Sequence, residues 1–128
     1  MNLKRIHHVA YRCNDAKETV EFYQNLLDMD FVLAIAENEV PSTKEPDPYM
    51  HVFLDAGMGN VLAFFELPNS PPMDRDHNTP EWVQHIAFEL ESMEELLTLN
   101  TNQLGRAVFT KVKHLLWLKT QIIHILLL

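Results

Sequence analysis

The chain has one cysteine, Cys13, in 128 residues, so an intramolecular disulfide is excluded and a reducing compartment is expected. Basic charge is scarce. Ten Lys and Arg against 18 Asp and Glu leave a net charge of −8. Nucleic acid is therefore not an expected partner, because its phosphates call for a basic surface. Nothing of signal-peptide type follows the start Met1-Asn2-Leu3-Lys4-Arg5, so a cytoplasmic protein is expected. The apolar run over residues 115–128 is broken by Lys119, Gln121 and His124. It is short for a bilayer, so no membrane partner is expected either. Acidic residues stop at Glu95, and beyond it Arg106, Lys111, Lys113 and Lys119 are the only charged side chains.

The chain is 47% apolar, enough for one modest core. Its local signals repeat. Ile6-His7-His8-Val9-Ala10-Tyr11 and Val83-Gln84-His85-Ile86-Ala87-Phe88 share a histidine, a β-branched residue, an alanine and an aromatic ring. A helix-start signal follows each: Asp15-Ala16-Lys17-Glu18, then Ser92-Met93-Glu94-Glu95. Residues 6–12 read as a strand with His8, Ala10 and Arg12 on one face and His7, Val9 and Tyr11 on the other. Val20, Tyr23, Leu26 and Leu27 make a helical stripe able to pack on a sheet. Residues 31–36, 49–54 and 61–67 read as further strands, and the proline-rich stretch 41–48 as a loop. The order is β-α-β-β-β. Four prolines within 68–80 mark a linker, and a strand over 83–90 restarts the pattern.

The expected fold is α+β: a first βαβββ module over residues 1–68, a linker over 69–81, and an incomplete second module over 82–104. Residues 105–128 form a basic, apolar tail without hairpin signals or alternating strands.

His8 and His85 occupy equivalent places in the two copies, and a pair of imidazoles invites a divalent metal. Glu66 ends an apolar strand, on one face with Leu62 and Phe64. A carboxylate there is costly unless it is paired or bound to a cation. Together the three would make a two-histidine, one-carboxylate set with coordination positions left open. His51 shares a face with Phe53 and could line a pocket, although a core or surface role is the plainer reading. Tyr49 and Trp82 could line the same cavity. His7 and Cys13 read as packing, and Asp76 and His77 as solvated linker. His114 and His124 are assigned nothing.

Over about its first 100 residues the sequence resembles the vicinal oxygen chelate superfamily of glyoxalase I, bleomycin-resistance proteins and extradiol dioxygenases. The resemblance rests on Ile6–Tyr11, on Val20-Glu21-Phe22-Tyr23-Gln24-Asn25-Leu26-Leu27, on Phe64-Phe65-Glu66 and on Gln84–Phe88. It implies two modules around one divalent metal, with His8, Glu66 and His85 as ligands and Glu66 as the candidate catalytic carboxylate. Fe2+ is the first expectation, with Mn2+, Zn2+ or Ni2+ as alternatives. The substrate would be a small molecule holding the ion through neighbouring oxygens, and the reaction a lyase, isomerase or ring-cleaving dioxygenase step. The second module's own glutamate has no counterpart after Glu95. The resemblance thus also admits a bleomycin-resistance-type binder, possible as a homodimer, or a truncated inactive product.

Overall fold

The computed structural model describes residues 2–74, 76–80, 83–92 and 94–95, and the backbone of 122–126. The chain divides into two compact units, Met1–Met73 and Asp74–Leu128.

The first unit is a βαβββ module. Strand β1 (His8–Cys13) leads into helix α1 (Ala16–Leu27), and β2 (Asp30–Glu39), β3 (Pro46–Asp55) and β4 (Val61–Glu66) follow. The sheet order is β1-β4-β3-β2. β1 runs parallel to β4, and the other pairs are antiparallel. A parallel neighbour needs a long crossover, whereas antiparallel strands need only short turns. Both turns carry positive φ: Lys44 after β2, and Gly57, Met58 and Gly59 before β4. In the second turn Asn60 N–H donates to Gly57 O, and the Arg5 guanidinium donates to Gly59 O at 2.9 Å.

Helix α1 starts where the capping sequence places it. Asp15 is the N-cap with extended backbone, and its carboxylate accepts from Glu18 N–H at 2.8 Å. The helix ends at Asp28 in the left-handed conformation, whose N–H donates back to Gln24 O. Ala16, Tyr23 and Leu26 are its buried face. The Tyr23 ring stacks on Phe64 of β4 with centroids 5.1 Å apart. Burial, then the nearby Tyr11, push the Tyr23 phenol up to about 12. One side of the sheet is thus covered by α1, with Val52, Leu54, Leu62 and Phe64 buried beneath it.

β3 begins earlier than the sequence suggests and takes in Pro46 and Pro48, which were expected in a loop. Proline cannot donate to a ladder and is tolerated only where a strand is unpaired on one side. That condition holds here, because β4 pairs with β3 only from Met50 onward. The loop shrinks to the residues between Glu39 and Pro46, closed by Val40 N–H to Glu45 O.

Cys13 is buried beside the start of α1. Its thiol is pushed up by burial, with the Thr19 hydroxyl opposing and Glu66 adding a smaller push. The thiolate is the reactive form. Labelling of Cys13 by a thiol reagent at pH 8 should therefore be slow in the folded protein and at least about tenfold faster in urea. Equal rates in both states would contradict this packing.

In the second unit β5 (His85–Glu89) pairs antiparallel with β6 (Ile122–Leu126). The tail, expected to lack strands, supplies β6. Its run of β-branched residues, Ile122, Ile123 and Ile125, suits extended backbone once a partner strand is present. Ser92 opens the next turn as its sequence indicates: its hydroxyl accepts from Glu95 N–H, and the Glu95 carboxylate accepts from Glu91 N–H. Ahead of β5 Asp76 caps a local turn, accepting from Asn78 N–H and the Thr79 hydroxyl. These bonds, the Thr79 one first, hold its carboxyl below the usual range. Trp82, His114 and residues 105–121 lie outside the described residues.

Candidate ligand-binding site

The uncovered side of the first unit's sheet carries the candidate site. Register decides which side chains reach it. His8 pairs with Val61, Ala10 with Ala63 and Arg12 with Phe65 across β1 and β4. Phe65 then pairs with His51, and Ala63 with Phe53, across β4 and β3. Directly paired residues point to the same side of a sheet. His8, Ala10, Arg12, His51, Phe53 and Phe65 therefore share the open face. The ring contacts agree: His8 lies 5.8 Å from Phe53 and 6.3 Å from His51, centroid to centroid. His51 stacks on Phe65 at 3.6 Å, and Tyr49 meets Phe65 edge-on at 5.5 Å.

Within this cluster His51 is the buried polar group, only 9% exposed. Its Nε2 is covered and has no hydrogen-bond partner. Burial, then the neighbouring His8, lower its pKa, so the ring is held neutral. A neutral imidazole offers one donor and one acceptor. His8 is exposed, and its Nδ1 lies 2.9 Å from Nδ1 of His7, so one ring donates to the other. His7, expected on the opposite face, lies just before β1 and makes an edge-on contact with His8.

Glu66 is on the other side of the sheet. It pairs with Cys13, not with any residue of the His8 row, and follows Leu62 and Phe64 on the face that α1 covers. Its Oε2 accepts from Ala16 N–H at 2.7 Å, at the first turn of α1. His8 and Glu66, expected as ligands of one ion, therefore stand on opposite faces of this sheet. Glu66 lies five positions after Val61, the partner of His8, and an odd offset along a strand reverses the face. The open-face positions of β4 are Val61, Ala63 and Phe65, none of which can ligate an ion. Asp55, at the far end of the row from His8 through Val61, accepts instead from Gly57 N–H in its own turn. Among the described residues no three His, Cys, Asp or Glu side chains gather to hold a metal ion. Within the first unit the register thus leaves His8 on the open face and the Glu66 carboxylate on the covered one. His85 stands, half-buried, at the first position of β5, as His8 stands at the first position of β1.

A profile of the Glyoxalase/Bleomycin resistance protein/Dioxygenase superfamily matches residues 5–101, more than half of the chain. The chain belongs to this superfamily. The matched residues take in the whole βαβββ module, β5 and both histidine-bearing strands. No curated protein matches the chain significantly. Among the described residues no helix is long and apolar enough to cross a membrane.

For a member of this superfamily, the site residue that sequence reasoning passed over is Phe65. It sits next to Glu66 in an apolar strand and reads as core, yet it forms the stacking surface under His51. Its signal is alternation: once Glu66 is known to face the helix, Phe65 must face the other way. Tyr49 and His51 were both candidates for a pocket wall, and both stand on the open face.

Proposed function

We propose that this chain binds a small, planar, oxygen-bearing molecule on the open face of its first sheet. His8 and His51 supply hydrogen bonds, and Phe53 and Phe65 supply aromatic surface. The observation that carries this reading is His51, nine-tenths buried among aromatic rings with an unpartnered Nε2. An unsatisfied buried polar atom costs about 1–3 kcal/mol, and a ligand oxygen that enters beside His8 and displaces the atoms covering Nε2 would remove that cost. Aromatic rings stack on planar ligands, and a neutral imidazole can donate to a phenolate or accept from a phenol.

Catechol, with two neighbouring oxygens on one ring, is the probe. Calorimetry should show saturable binding of catechol without added metal. His51→Ala and His8→Ala should each weaken it by at least about tenfold, or ~1.4 kcal/mol. No saturable binding, or equal affinity in both variants, would remove this reading.

A second reading is metal-dependent catalysis as a lyase, an isomerase or a ring-cleaving dioxygenase. It is favoured by the matching positions of His8 and His85 at the starts of β1 and β5. Its signature is different: Fe2+ retained on purification, lost in His85→Ala, and oxygen uptake with catechol only in the loaded protein.

A further inference from the structure

We infer that Glu66 is an anchoring carboxylate that fastens the start of α1 to the sheet, and that it neither ligates an ion nor meets a ligand on the open face. This inference does not depend on which ligand the open face takes.

The bond from Ala16 N–H to Glu66 Oε2 joins residues far apart in sequence, the first of the helix and the last of β4. The first amides of a helix have no partner inside it, and a negative charge there is favoured by the helix dipole. Two carboxylates divide the task. Asp15 takes Glu18 N–H from within the local sequence, and Glu66 takes Ala16 N–H from across the fold. A part-buried, charge-assisted bond of this length is stronger than a neutral one.

The surrounding contacts converge on the same junction. The Arg12 guanidinium donates to Pro71 O, and Met73 N–H donates to the Asn14 carboxamide oxygen at 2.6 Å. The end of β4 and the segment just after it are therefore tied to residues 12–16 from both sides. Cys13, paired with Glu66 in register, fills the space below. Glu66 has a partner and a place in this junction, and its distance from the His8 row follows from strand register. The apolar strand on which it lies makes it resemble a metal ligand, but its cation-like partner is the positive end of a helix.

The test uses the full chain with Glu66→Gln, Glu66→Ala and His8→Ala, read by amide hydrogen exchange at Ala16, by thermal unfolding and by Zn2+ titration. Glu66→Gln keeps an acceptor oxygen and is expected to fold even where Glu66→Ala does not. Exchange at Ala16 should accelerate at least about fivefold in Glu66→Gln and more in Glu66→Ala, as a charge-assisted bond is weakened or lost. Both midpoints should fall. Any Zn2+ affinity of the parent should stay within about twofold in Glu66→Gln while falling in His8→Ala. Unchanged exchange at Ala16 in both variants would overturn the inference, whether or not the parent binds Zn2+. So would a tenfold loss of Zn2+ affinity in Glu66→Gln at an unchanged midpoint.

Discussion

Leu54→Ala should lower the stability of the first unit by about 2–5 kcal/mol, the usual range for emptying a well-packed aliphatic site. Leu54 is 0% exposed and sits in β3, the inner strand that pairs with both β2 and β4. It is placed opposite Phe31 on one side and Leu62 on the other, on the face covered by α1. In a unit of this size each kcal/mol moves the midpoint by roughly 4–8 °C, so a fall of about 10 °C or more is expected. Urea or thermal unfolding followed by circular dichroism reads this directly. Phe31→Ala is the comparison. Phe31 is about half exposed on the edge strand β2, and its loss should be well under half that of Leu54. If the two variants unfold alike, Leu54 is not at the centre of this unit's core.

The second large effect concerns pH and His51. Burial and the neighbouring His8 lower its pKa from the ordinary 6.5, so the folded state binds the proton less readily than the unfolded state. The sign follows from linkage. Above pH 6.5 both states are neutral at this ring, and its contribution to stability is fully present. As pH falls through 6.5, the unfolded chain takes up the proton first, and stability is lost until the folded pKa is passed. The urea midpoint should therefore fall between pH 7.5 and pH 5.5. His51→Phe preserves an aromatic partner for Phe65 and removes both the titration and the orphaned Nε2. It should flatten the pH dependence across this window without loss of stability at pH 7.5, while catechol affinity drops at least about tenfold. A pH slope that survives His51→Phe unchanged would assign the titration elsewhere. Retained catechol affinity in that variant would remove His51 from the proposed site.

Much of the first unit is legible in the residues. Asp15-Ala16-Lys17-Glu18 marks where α1 begins, because a side-chain oxygen there can satisfy amides that the helix cannot. Tyr23 and Leu26 mark the buried stripe. The β-α-β-β-β order, the family and the equivalent places of His8 and His85 in two similar strands all follow from local pattern, whereas the start of each strand at its histidine, two residues later than the pattern suggests, does not. β6 was not legible, since an apolar run becomes a strand only when a partner supplies its hydrogen bonds. The early start of β3 was hidden for a related reason: whether Pro46 and Pro48 can be in a strand depends on what pairs with that end.

Alternation alone fixes which residues share a face within each strand: His8 with Ala10 and Arg12, and Glu66 with Phe64 and Leu62. It could not determine which face of β4 aligns with which face of β1. Side chains repeat every two residues along a strand, so one step of register exchanges the two faces. Only the tertiary pairing of His8 with Val61, and the helix lying over Phe64, decided that Glu66 meets the helix start while His8 meets His51.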